Sequence, residues 1–286
     1  MKKITILTIA LMMTLSLSAC GKKTIPDGNV NQNNEIVFTA FDAIENENCL
    51  IRIKEIYPEN KNGFTIKIEC ENKSKDKNYI FSIASSAVNG IQYYPYTYLE
   101  VASGQTLDID VSFTTKEFIG YEIDNFTDIE ITFYVYDSSD LNYKPIVYET
   151  IHIYPYGEDK AVKYVREPQK NDNVIIDNEY ATVIVTGYNP DGKNGYTVNL
   201  FLINKTDDSL MYSVEELSIN GYEIAFFYAD SVFGGNCYIS FISIIPELLE
   251  EKNITEVETI KIRFRVFNID SQNSIDYAND IIVLKP

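Results

Sequence analysis

The chain has 286 residues and a formal net charge of −18, a balance that repels phosphate backbones and argues against nucleic acid as a partner. With a single histidine the chain lacks the several ligands that a metal centre of His/Cys type needs, and no cofactor or metal is expected. The aromatic residues are 22 Tyr and 15 Phe with no Trp, which together with abundant Ile, Val and Thr favours strands over helices.

At the N-terminus, Lys2 and Lys3 precede an apolar run over residues 4–17. A membrane-spanning helix needs about 20 residues, so this run has the length and charge order of a signal-peptide core. It ends in Leu17-Ser18-Ala19-Cys20, followed by Gly21, which resembles the lipobox of bacterial lipoproteins. The resemblance implies that residues 1–19 are a cleaved signal peptide and that the Cys20 thiol is acylated. Membrane lipid is then the first partner, and the chain is extracytoplasmic, held at the cell membrane by its anchor. Each buried CH2 of such an anchor contributes about 0.8 kcal/mol. Loss of the leader removes two lysines and takes the net charge from −18 to −20. Residues 20–46, rich in Lys, Asn and Gly, read as the lipidated cysteine and a flexible stalk.

Beyond the stalk the chain repeats itself. Lys61-Asn62-Gly63-Phe64-Thr65 returns as Lys193-Asn194-Gly195-Tyr196-Thr197, and Asn72-Lys73-Ser74 as Asn204-Lys205-Thr206. Val88-Asn89-Gly90 returns as Ile219-Asn220-Gly221, and Ile129 to Phe133 as Ile260 to Phe264. The offset is 132 residues for the first two pairs and 131 for the others, so one deletion separates two copies of one module. The copies span 47–156 and 179–286, joined by a connector at 157–178 that contains Pro168 and a weakly helical patch at 159–166.

Each copy reads as strands. Phe64, Ile66, Ile68 and Cys70 alternate with polar residues, as do Ile260, Ile262, Phe264 and Val266, the period of a half-buried strand. Asn89-Gly90 and Asn220-Gly221 are two-residue hairpin signals. About seven strands per copy suit an immunoglobulin-like β-sandwich, so the expected fold is all-β, with two tandem sandwiches and one short helix in each. In the second copy Pro246 sits at a helix start ahead of Glu247 to Lys252. The Asn-Lys-Ser/Thr turn, the Val/Ile-Asn-Gly hairpin and Leu249-Glu250-Glu251 ahead of a Phe-rich strand resemble an uncharacterised immunoglobulin-like repeat of Gram-positive surface proteins. Lys116-Glu117-Phe118 replaces the last element in the first copy. The resemblance implies no activity.

Candidate chemistry is sparse. His152 lies on an outward position of a final strand, without a nucleophile motif to serve. Cys49 and Cys70 fall on adjacent strands at inward positions filled by Ala181 and Leu202 in the second copy. A hairpin turning near Asn60 sets them nearly opposite, so a disulfide and a pair of buried free thiols both remain open. Cys237 has no evident partner. Asp137 to Asp140 is an acidic turn that could offer oxygens to Ca²⁺ but lacks full EF-hand spacing. Lys261, Arg263 and Arg265 form a basic stripe that reads as a solvated face. The most unusual segment is Tyr93-Tyr94-Pro95-Tyr96-Thr97-Tyr98, where Tyr93, Tyr94, Tyr96 and Tyr98 could stack on sugars or anchor a protein, or simply pair across strands.

These features point to a lipid-anchored, non-enzymatic surface protein whose modules bind or space, with a surface protein or cell-wall glycan as the partner. No catalytic residue is assigned. A glycan-processing hydrolase using paired carboxylates is the alternative, and a solute-binding lipoprotein, which needs more helix, a weaker one.

Overall fold

The computed structural model describes residues 35–286 except 96, 115–117, 119, 120, 122, 124 and 269–274. The leader, the lipobox and Cys20 therefore lie outside the described residues, as does Tyr96. Residues 35–286 form one compact unit.

The fold is all-β. The first half contributes β1 (Phe41–Glu45), β2 (Cys49–Asn60), β3 (Gly63–Asn72), β4 (Tyr79–Val88), β5 (Ile91–Tyr93), β6 (Tyr98–Val101), β7 (Thr106–Phe113), β8 (Ile129–Asp137) and β9 (Pro145–Ile153). The second contributes β10 (Asn173–Asp177), β11 (Ala181–Gly192), β12 (Gly195–Asn204), β13 (Leu210–Ile219), β14 (Tyr222–Glu223), β15 (Tyr228–Val232), β16 (Cys237–Ile244), β17 (Ile260–Asn268) and β18 (Asp276–Leu284). Among the described residues one α-helix occurs, α1 (Pro246–Glu251), which starts at Pro246 as the sequence predicts. The expected helix of the first half falls on the partly undescribed segment 115–124.

Three expectations change. Among the described residues each half has nine strands in place of about seven: one crossing is split into two short pieces, β5 and β6 or β14 and β15, and β1 or β10 is added in front. Strand β1 lies in the segment read as stalk, and β10 in the segment read as connector. The patch at 159–166 is not helical: a 3-10 turn covers only Glu158–Lys160, and Ala161 is already extended. From there the chain runs as a strap, with Val162 N–H donating to Thr127 Oγ1 at 3.1 Å and Tyr164 N–H to Asn89 O at 2.7 Å.

Strand order runs β1-β2-β3-β7 in one sheet and β14-β13-β17-β18 in another, with β15 also on β13. The largest sheet runs β10-β11-β12-β16-β5-β4-β8-β9, with β6 also on β4. Among the described residues every pairing is antiparallel except that of β16 with β5, which joins the two halves through Cys237 and Ile91. The sheets pack face to face around two buried clusters. In one, Ile51, Ile53, Ile66 and Ile68 meet Phe81, Ile131 and Phe133; in the other, Val183, Val185, Leu200 and Leu202 meet Tyr212, Ile262 and Phe264. Each such side chain, removed from water, contributes roughly 1.5–3 kcal/mol.

The repeated asparagines tie these sheets together. Asn72 is fully buried, and its Nδ2 donates to Lys77 O at 2.7 Å and Val101 O at 2.9 Å while its Oδ1 accepts Ser74 N–H. Asn204 makes the same set with Asp208 O, Val232 O and Thr206 N–H. Asn89 and Asn220 adopt positive φ of 51° in tight hairpins closed by Val88–Ile91 and Ile219–Tyr222. Their side chains also hold the segment entering β8 or β17, through Thr127 and Asp128 N–H in one case and Glu258 and Thr259 N–H in the other. Asn72→Ala would remove the donor from the Lys77 carbonyl and the buried bond to Val101 O, so it is expected to cost about 2 kcal/mol. Urea denaturation measures the loss, and an unchanged midpoint would contradict this role.

Candidate functional site

The outer face of the β6-β4-β8-β9 sheet carries the most unusual surface. Register sets Tyr98 of β6 opposite Ser82 of β4, Ser82 opposite Tyr134 of β8, and Tyr134 opposite Tyr148 of β9. The four residues thus form one row across four strands, all on the side away from the core. Tyr136, two residues on, points the same way. The ring of Tyr134 lies 5.2 Å from Tyr136 and 6.1 Å from Tyr148. Tyr98 and Tyr148 stay 53% and 64% exposed. Beneath them Ile80 faces outward by alternation yet is only 6% exposed and belongs to neither core cluster.

The loop after β8 adds a fifth ring. Tyr143, at φ 52° and 57% exposed, sets its ring 5.4 Å from Tyr136 and accepts a hydrogen bond from the Tyr134 hydroxyl on its carbonyl. The acidic turn read as a cation candidate holds this loop. Asp137 accepts from Ser139 N–H and Oγ, and its other oxygen pairs with Lys77 at 2.9 Å. Asp140 accepts from Asn142 N–H and Lys144 N–H. The Lys77 ammonium, then the Ser139 donors, bring the Asp137 carboxyl down to about 2. These carboxylates are occupied by the turn itself, and among the described residues no group of three or more His, Cys, Asp or Glu side chains converges as a metal site would. The aspartates serve here as clamps for Tyr143.

Several ring pairs are edge-on, at 82° for Tyr134 with Tyr148 and 79° for Tyr136 with Tyr143. The surface is therefore corrugated, offering ring faces, ring edges and phenol hydroxyls together. It suits recognition by apolar contact and hydrogen bonding rather than acid–base chemistry. The same row in the second half reads Ala229, Ser213, Arg265, Asn279. There Arg265 pairs with Asp276 at 2.6 Å and Glu215 at 3.0 Å, and Arg263 pairs with Glu216 at 2.8 Å. The basic stripe is a salt-bridged ladder on the face that carries tyrosines in the first half.

The tyrosines singled out by sequence do not form one surface. Tyr93 turns into the first cluster, 5.5 Å from Phe113 and 5.4 Å from Phe118, with its hydroxyl bonded to Thr114. Tyr94 turns to the second half, with its ring 6.1 Å from both Phe233 and Tyr238. Of the three that are described, Tyr98 alone joins the exposed row. Tyr134, Tyr136, Tyr143 and Tyr148 were passed over, although Tyr134 and Tyr136 alternate with Phe133 and Val135 at positions where a solvated face would be polar.

Cys49 and Cys70 are buried free thiols. Cys49 faces Asn72, and Cys70 faces Ile51, so the two sit diagonally rather than opposite. The cause is that the hairpin turns later than near Asn60, at Lys61-Asn62 with Asn60 opposite Gly63; the irregularities at Ile53–Glu55 and Tyr57–Asn60 each add a residue to β2 and recover only part of that offset. Burial pushes the Cys49 thiol up to about 11 and raises Cys70 further, which suppresses the reactive thiolate. His152 is outward as expected, 2.8 Å from Asp128 and stacked against Tyr154.

No family model and no curated protein matches the chain. Solved structures do match, among them one concerning host cell surface retention of a 1.5-MDa bacterial ice-binding adhesin, at 12% identity over 77% of this chain. This chain covers 55% of that one, and the TM-score of 0.19 is too low to carry any conclusion about fold or function.

Proposed function

We propose that the chain is a lipid-anchored extracytoplasmic binding protein without enzymatic activity, in which two tandem immunoglobulin-like sandwiches present the tyrosine face of the first. The Lys2–Cys20 segment supports the anchor, and the corresponding strand pairings of the two halves support the duplication. Strands β1 and β10 then belong to the sandwiches rather than to the stalk and connector.

The observation that carries the binding role is the contrast between the two equivalent rows. The second half packs the same sheets with Ala229, Arg265 and Asn279 where the first has Tyr98, Tyr134 and Tyr148. Exposed rings are thus not required by the architecture, and exposed tyrosines are the residue type that concentrates binding energy at interfaces. A cell-wall glycan is the first probe, because the anchor puts this face beside the wall. Co-sedimentation of the protein with isolated cell wall is expected to fall about tenfold or more in affinity when Tyr134 and Tyr148 are both changed to Ser. Unchanged circular dichroism would show the fold intact. Binding retained by the double variant would remove the tyrosine face as the site.

A further inference from the structure

The hairpin Val88–Ile91 and the hairpin Ile219–Tyr222 are built alike, but their outer edges differ. In the first, the edge of β5 is filled: β16 lies parallel to it, and Cys237 N–H donates to Gly90 O at 2.9 Å. Ile91 and Gln92 are buried at 1% and 3%, and a Cβ on Gly90 would meet Lys163 at 3.0 Å. In the second, residues 221–223 are all exposed, and a Cβ on Gly221 would meet nothing within 4 Å. Because Tyr222 pairs with Ile219 and Ile224 N–H returns to Leu217 O, the Gly221 C=O and Glu223 N–H point to the open side. They are the counterparts of the groups that hold β16 on β5.

We infer that the open β14 edge is a docking site for an extended, basic peptide strand of a partner protein, added in parallel as β16 is added to β5. Strand addition supplies main-chain hydrogen bonds, and side-chain surroundings select the sequence. Beside the edge lies a groove of 370 Å³ lined by Glu215, Glu216, Glu223, Phe226, Lys261 and Arg263. Glu216 is paired with Arg263 and Glu215 with Arg265, whereas Glu223 is exposed at the edge itself. Glu256 and Glu258 flank the hairpin as well, their backbones bonded to Asn220. The balance is acidic on a strongly acidic chain.

A second copy of the chain is the poorer occupant. The strand corresponding to β16 in the first half is β7, an outer strand of its sheet. It carries Asp108 and Asp110 where β16 carries Ile239 and Phe241. Docking β7 on β14 would add those aspartates to an edge whose own balance is already acidic. The hairpin itself also changes: Gln92, which donates to Ser231 O across the first junction, is replaced by Glu223, which cannot donate through its carboxylate.

This inference rests on the strand pairings and not on the tyrosine face, so the two can fail separately. The test is fluorescence anisotropy of the full chain with a labelled octapeptide of alternating Lys and Val. Controls are a Glu/Val octapeptide and a Lys/Val peptide N-methylated along one edge. Binding of Lys/Val alone, weakened about tenfold by Glu223→Lys and untouched by Tyr134→Ser, is the expected result. Equal binding of the N-methylated peptide would show charge attraction without strand addition and overturn the proposal. Equal binding of the acidic peptide, or binding of neither, would overturn it too. Self-association of the chain in sedimentation velocity, lost in Glu223→Lys, would give the edge to a second copy instead.

Discussion

Gly63→Ala and Gly195→Ala are each expected to destabilise the chain by about 3 kcal/mol or more, among the largest losses available to a single methyl group. Both glycines open the strand after the repeated Lys-Asn turn, at φ +106° and +103°. A Cβ at Gly63 would lie 2.2 Å from the carbonyl oxygen of Phe113, and one at Gly195 2.2 Å from that of Ile244. Those oxygens end the neighbouring strands β7 and β16, so neither can swing aside like a flexible side chain. Positive φ and backbone contact therefore add. Gly104 separates the two terms, having φ +67° but nothing within 4 Å of an added Cβ. Thermal melts followed by circular dichroism should place Gly63→Ala and Gly195→Ala below Gly104→Ala, by about 5 °C or more. Equal midpoints would show that the close approach is unimportant.

The same glycines mark how far the fold is legible in the sequence. Alternation in β3 and β17 and the Asn-Gly hairpins depend on two to ten consecutive residues, and these expectations agree with the structure. The Lys-Asn-Gly and Asn-Lys-Ser/Thr repeats were visible too, but their cause is a close approach and a buried amide that only the folded chain displays. Strands β1 and β10 fall in the segments that the sequence assigns to stalk and connector because five residues are too few to show a period, and pairing with a longer neighbour compensates. The register between Cys49 and Cys70 differs from expectation because the hairpin turns at Lys61-Asn62 and the irregularities in β2 offset that shift only in part. The tyrosine site failed for a different reason. Strand β5 ends after three residues, so Tyr93, Tyr94 and Tyr98 scatter to a core, a junction and a face. The exposed cluster instead gathers rings from β6, β8, β9 and a loop, distant in sequence and adjacent only through register.

Gln92→Ala is expected to uncouple the two halves, with a loss of about 2–5 kcal/mol. Gln92 is 3% exposed at the join of β5 and β16. Its Nε2 donates to Ser231 O at 2.8 Å, and its Oε1 accepts Phe233 N–H at 2.8 Å. Both partners are backbone groups of the second half, so truncation leaves a donor and an acceptor at the junction without their mates. The other ties are the β5–β16 bridge, Asn236 to Glu130 at 3.2 Å, the Tyr94 ring against Phe233 and Tyr238, Phe201 and Cys237 packed into the first cluster, and the strap in which Arg166 lies 5.5 Å over the Phe201 ring. If Gln92 holds the junction, the unaltered chain melts in one calorimetric transition and Gln92→Ala in two, one for each buried cluster. Gln92→Glu should be more damaging still, since a carboxylate would face the Ser231 carbonyl with no hydrogen to offer. That is also the residue the second half carries at its open hairpin, so the substitution would make the filled edge resemble the empty one. A Gln92→Ala chain that melts in a single transition at the original temperature would mean that the strap and the strand bridge suffice. The connector from Ala161 to Asp172 would then carry part of the junction, and its Arg166–Asp172 pair at 2.8 Å would become the next residue pair to break.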